Sequence, residues 1–169
     1  GECGMEFSSE NLTKASAALD AAKAQDERIV TVETCTAGLL SACLTSVPGA
    51  SQIFERGFVL YHTVAKTTGL GVPEEISKAH GVVSAEVTKG LAEGGLKNST
   101  AGVCVAVTGY AGPGGGNDRD PVGTCYFAVS SRGKPTQQRR VVLPGSRNEV
   151  RNAAVGEALE LIVAQLLGD

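Results

Sequence analysis

The sequence predicts a single α/β domain in which a sheet lies between helices, and three observations carry that prediction. Strand-like and helix-like stretches alternate along the chain. A short continuous apolar run, Gly102-Val-Cys-Val-Ala-Val-Thr108, has the pattern of a central strand covered on both faces. The chain has 169 residues, 42% of them apolar, which is one domain's length and enough to bury a real core.

The elements follow in order. Leu12, Ala15, Leu19 and Ala22 recur at helical spacing from Ser9 onward, and Arg28 to Glu33 then has the β-branched content of a strand. Ala37 to Val47 reads as a second helix, stopped by Pro48-Gly49. Phe54 to Tyr61 is strand-like, short helical pieces are expected over Val64 to Gly69 and Glu74 to Ala79, and Ser84 can cap a helix running through Gly95. After the central run, a Gly/Pro-rich segment from Gly109 to Gly116, continued by Asn117 to Pro121, is too long for a tight turn and points to a functional loop. Strands are expected at Gly123 to Ser131 and Gln137 to Leu143. The last helix opens with a capping box, Ser146 and Glu149, and carries an apolar stripe of Val150, Ala154, Ala158, Leu161 and Ile162. Gly1 to Gly4, ahead of Met5, read as an expression remnant outside the fold, and Cys3 goes with them.

Composition excludes several classes. No apolar stretch approaches the roughly 18 uncharged residues of a membrane span, and no secretion signal is legible, so a cytoplasmic protein is expected. The five cysteines are odd in number and lack a CxxC, so they read as reduced, mostly buried thiols. A net charge of −3 and 4% aromatic residues argue against nucleic acid, which wants a basic face and stacking rings. Arg139 and Arg140 read as a solvated edge. His62 and His80 stand apart from any acidic cluster with ligand spacing and read as surface or capping residues, so no metal is expected.

Four features carry possible chemistry, each with a plainer reading. Glu33-Thr34-Cys35-Thr36-Ala37-Gly38 lies where a strand ends and a helix begins, so its free N–H groups could hold an anion and a hydroxyl could act as nucleophile; alternatively Thr34 or Thr36 is an N-cap. The glycines of Gly109 to Gly116 could let backbone approach a ligand, although no phosphate-loop motif is present, or they form a flexible surface turn. Arg147 and Arg151 share one face of the first turns of the last helix, where the dipole disfavours cations by some tenths of a kcal/mol; a bound anion would offset that cost, and solvent exposure is the plainer account. Lys66 and Tyr61 become an acid/base pair if they meet Thr34, and a desolvated lysine can lose its proton near neutrality; a lone lysine is otherwise solvated.

The ordered set Thr31-Val-Glu-Thr-Cys-Thr-Ala-Gly38, Val47-Pro-Gly-Ala-Ser51, Phe54 to Tyr61, Ala65-Lys66, Leu70-Gly-Val-Pro73, His80-Gly-Val-Val-Ser84, Val107 to Gly116 and Pro121-Val-Gly123 resembles the CinA C-terminal domain family. The resemblance implies a three-layer α/β/α sandwich around a central mixed sheet, in one domain over residues 5–169. It implies a metal-independent, cofactor-free amidohydrolase that converts nicotinamide mononucleotide (NMN) to nicotinic acid mononucleotide and ammonia, commonly as a homodimer or higher homo-oligomer. Some members also carry an N-terminal nucleotide-binding domain, not expected within these residues. A pyridine-nucleotide-binding or regulatory module without turnover is the alternative. Carried over position by position, Thr34 is the nucleophile, Lys66 the base, and Tyr61 stands beside it. Cys35, Thr36 and Gly38 of the same turn would contact substrate. Thr108, Gly109, Ala111, Gly112, Pro113, Gly114 and Gly115 would line the nucleotide pocket, and Arg147 with Arg151 would hold the phosphate. Here the family's nucleophilic serine is threonine, one motif glycine is Ala37, and His62-Thr63-Val64 replaces Ser-Asn-Glu.

Overall fold

The computed structural model describes residues 7–168; the expected remnant and Cys3 lie outside them. Helix α1 (Ser9–Ala24) leads into strand β1 (Ile29–Glu33), then α2 (Leu39–Thr45), a single 3-10 turn (Ala50–Gln52) and β2 (Phe54–Val59). Helices α3 (Thr63–Leu70), α4 (Glu74–His80) and α5 (Ala85–Lys97) follow, then β3 (Val103–Gly109), β4 (Thr124–Ser131), β5 (Lys134–Val142) and α6 (Arg147–Leu167). The strands form one mixed sheet in the order β2-β1-β3-β4-β5, with β2, β1 and β3 parallel and the last two pairings antiparallel.

Alternation of side chains along the strands gives the sheet two apolar faces and so two covering layers. Ile29, Val103, Val105, Val107, Phe127 and Val129 pack against α1, α2 and α6. Val30, Val32, Cys104, Ala106 and Ala128 face Leu70, Val72, Val87 and Leu91 on the α3–α5 side. Strand β3 is buried along its length up to Thr108, as its unbroken apolar run requires. The result is the expected three-layer α/β/α sandwich around a mixed sheet.

Several local expectations hold. Ser84 Oγ accepts from the Val87 N–H, and the Ser146/Glu149 capping box is formed. His62 caps α3 through its Nδ1, and His80 sits 3.6 Å from Glu86. Two boundaries differ. Helix α2 begins at Leu39 rather than Ala37, because Ala37 (φ 45°) and Gly38 (φ 101°) are left-handed. Strand β5 begins at Lys134 rather than Gln137, because Gly133 (φ 76°) closes a tight hairpin and the ladder pairs Lys134 with Ser131. Arg139 and Arg140 lie on this edge strand as expected but are not merely solvated: Arg139 bonds Glu157, and Arg140 bonds the buried Asp120.

Candidate active site

The three parallel strands bring the suspected residues to one end of the sheet. Thr34 follows β1, Tyr61 and Lys66 follow β2, and Gly109 ends β3. Ligands in open α/β sheets bind outside the carboxyl ends of the parallel strands, where connections diverge to either side. A cavity of about 230 Å³ opens there, lined by Thr34, Cys35, Tyr61, Lys66, Ala111 and Arg147 among others.

The turn carrying Thr34 is held by a carboxylate with no exposed surface. Glu33 Oε1 accepts from Thr36 Oγ1 (2.7 Å) and the Leu40 N–H (2.8 Å), and Oε2 from the Ser41 N–H (3.0 Å) and Ser41 Oγ (2.6 Å). This corrects two expectations. Glu33, not Thr34 or Thr36, caps α2, and the first N–H groups of that helix are taken, not free for an anion. The Cys35 and Thr36 N–H groups lie in the turn ahead of the helix, outside the Glu33 set. Thr34, 2% exposed, donates its hydroxyl to the Val107 carbonyl at 2.9 Å.

Lys66 is buried on α3, and desolvation lowers its pKa from the ordinary value, opposed by negative charge on the neighbouring Cys35 when that thiol ionises. The Cys35 thiol is pushed down chiefly by the adjacent Cys125 side chain, with its own amide and the Lys66 charge adding to this and burial working the other way. Each of the two favours the ionised form of the other. Tyr61 is mostly exposed, and its hydroxyl accepts from Arg147 Nη2 at 3.1 Å, so its hydrogen bond runs to the arginine rather than to Lys66.

Arg147 also donates to the Gly112 carbonyl at 2.7 Å, bridging the cavity mouth between the post-β2 segment and the glycine loop. Arg151, one turn on, donates from Nε to the Cys35 carbonyl at 3.0 Å. The glycine loop is closed at its neck by reciprocal Tyr110–Thr124 and Gly123–Tyr110 backbone bonds. Asp120, with no exposed surface, ties its far end through Tyr126 and Arg140. Among the described residues, no group of three or more His, Cys, Asp or Glu side chains gathers as a metal site would require.

A model of the CinA C-terminal domain matches residues 11–166, nearly the whole chain. The chain belongs to the CinA C-terminal domain family. A CinA-like protein of Akkermansia muciniphila is 47% identical over 135 residues, covering 80% of this chain and 33% of that protein. One from Myxococcus xanthus is 41% identical over 139 residues, covering 82% of this chain and 33% of that protein. The chain thus spans about a third of the length of these curated relatives. Among solved structures, a competence/damage inducible protein from Agrobacterium tumefaciens superposes with a TM-score of 0.92 at 34% identity, covering 95% of this chain and 98% of that one. A CinA superfamily protein from Klebsiella pneumoniae gives 0.89 at 30%, covering 94% and 99%.

Within this CinA domain, Thr34, Cys35, Lys66, Tyr61, Gly109, Ala111 and Arg147 share the cavity wall. Others stand behind it: Thr108 shares a hydrogen bond with Thr88 on α5, Thr36 serves Glu33, and Arg151 reaches the turn from outside. Gly38 supplies a left-handed residue before α2, and Gly114 and Gly115 are exposed on the loop with Pro113 between them and Gly112. Sequence reasoning missed Glu33, Asp120 and Cys125. An acid ending an apolar strand at a helix start was the available signal for Glu33; Cys125 had none, since only strand pairing sets it against Gly109.

Proposed function

We propose that this domain hydrolyses the carboxamide of NMN to nicotinic acid mononucleotide and ammonia without a metal. The observation that supports this most is a buried hydroxyl, Thr34, and a desolvated lysine, Lys66, on one small cavity wall. Neutral Lys66 takes the Thr34 proton as Oγ attacks the carboxamide carbon, and the Thr36 N–H of the same turn receives the developing oxyanion. The proton passes to the departing nitrogen, ammonia leaves, and water cleaves the threonyl ester. A cavity of about 230 Å³ suits the pyridine carboxamide, with ribose along the Gly109–Gly115 loop and phosphate at the rim by Arg147 and Arg151.

A binding module without turnover is the second reading. The Thr34 methyl restricts χ1, and the hydroxyl is already engaged by the Val107 carbonyl. Ammonia release from NMN in EDTA separates the two. Hydrolysis is expected in the parent, and Thr34→Val, which keeps the shape without the hydroxyl, should lower kcat by at least about 10³ while nucleotide binding persists. Activity should rise with pH as Lys66 deprotonates, with its midpoint below the ordinary lysine value of 10.5. Unchanged turnover in Thr34→Val removes Thr34 as nucleophile; an inactive parent with an active Thr34→Ser establishes the binding module.

A further inference from the structure

Two cysteines that the proposed hydrolysis does not use as thiols meet behind the cavity. Cys35 lies in the turn after β1, and Cys125 is the second residue of β4, paired across the ladder with Gly109. Gly109 lets them approach: a Cβ there would lie 2.5 Å from Cys125 Sγ and 3.2 Å from Cys35 Sγ. Two atoms that near to one point are separated by no more than the sum of the two distances, so the two sulfurs are neighbours across the Gly109 backbone. Cys43 and Cys104 are placed differently. Cys43 donates to the Asn11 carbonyl at 3.7 Å under α1, and Cys104 lies on the opposite face of the sheet.

Access is also unequal. Cys35 lines the cavity and is 7% exposed, whereas Cys125, Cys43 and Cys104 have no exposed surface. The Cys125 side chain and Lys66 favour the Cys35 thiolate, while Cys35 and burial push the Cys125 thiol up, so Cys35 is the more nucleophilic of the two. Burial alone pushes Cys43 up to about 11.

We propose that Cys35 and Cys125 are a peroxide-sensitive dithiol: a hydroperoxide entering the cavity oxidises Cys35, and Cys125 resolves the product as a disulfide that tethers the Thr34 turn to β4. The Cys35 thiolate attacks one peroxide oxygen and the O–O bond breaks, leaving a sulfenic acid and a hydroxide that takes the Cys125 proton to form water. The Cys125 thiolate attacks the Cys35 sulfur, the S–S bond forms, and the expelled hydroxide is protonated from solvent. Two electrons pass from the sulfurs to the peroxide; two thiols and one hydrogen peroxide become one disulfide and two waters.

The experiment uses the folded protein carrying Cys3→Ser, treated with equimolar hydrogen peroxide, then unfolded, alkylated with iodoacetamide and digested for mass spectrometry. The expected result is a Cys35–Cys125 linked peptide that dithiothreitol abolishes, with Cys43 and Cys104 alkylated. In Cys125→Val no link forms and Cys35 is trapped by dimedone as the sulfenic acid. Alkylation of both Cys35 and Cys125 at a dose that oxidises glutathione, or a link through Cys43 or Cys104 instead, overturns the proposal. The readout is independent of any substrate, so it stands or falls apart from NMN hydrolysis.

Discussion

The two walls of the cavity are each braced by a carboxylate with no exposed surface, but by different physics. Glu33 takes four hydrogen bonds from uncharged donors, all within eight residues of it and three of them at the start of α2, where the helix dipole also favours a negative charge. Asp120 is held by the Arg140 guanidinium and the Tyr126 hydroxyl, which stand opposite each other only because β4 and β5 pair in that register. The Thr34 turn is therefore rigid by local chemistry. The glycine loop is tied at its neck, by Arg147 at Gly112 and by Asp120 at its far end, and between these ties Gly114 and Gly115 are exposed. For the proposed hydrolysis, a hydroxyl that must meet a carbonyl within a fraction of an ångström belongs on the first kind of wall, and a surface that must admit a nucleotide on the second.

The largest break in this comparison is Glu33→Gln. Its amide NH₂ would face donors it cannot bond, and the charge-assisted bonds to α2 would be lost, at a cost of about 3 kcal/mol. For a domain of this size that lowers Tm by roughly 6–12 °C. Urea unfolding with a loss below about 1 kcal/mol would show that the turn is held by something other than Glu33.

Asp120→Asn should cost less, about 1–2 kcal/mol, because the Arg140 and Arg119 side chains are 41% and 72% exposed and can turn to water. Its effect should fall more on nucleotide KM than on kcat, since it loosens the loop rather than the Thr34 turn. A stability loss equal to that of Glu33→Gln would erase the distinction between the two braces.

The smallest effect sharpens the comparison from the other side. The glycine loop uses Gly112, Gly115 and Gly116 at positive φ, whereas the Thr34 turn places Ala37 at φ 45° where the family motif has glycine. A left-handed alanine costs roughly 1–2 kcal/mol, and glycine's extra unfolded-state freedom takes back about half of that. Ala37→Gly should therefore stabilise by about 0.5–1 kcal/mol in the same urea assay. A destabilised variant would mean that the Ala37 methyl makes contacts that outweigh its backbone strain.

Element type and order were legible in the sequence because they depend on local periodicity. The apolar run of β3, the Ser146/Glu149 box of α6 and the Ser84 cap each act over a few residues, and each stands where the pattern places it. Boundaries slipped where backbone conformation overrode composition, at Ala37-Gly38 and Gly133. The family motifs likewise singled out Thr34, Lys66 and Arg147 before any distance between them was known.

Only the tertiary structure decided what those residues meet. Strand order β2-β1-β3 brings the Thr34 turn beside Lys66 and Gly109, and burial there, not residue type, lowers the lysine pKa. The same folding bonds Tyr61 to Arg147 and Arg140 to Asp120, and it sets Cys35 beside Cys125 across Gly109. Local sequence sets which backbone conformations are cheap; strand pairing and burial set which distant side chains share a low-dielectric space, and that shared space determines their chemistry.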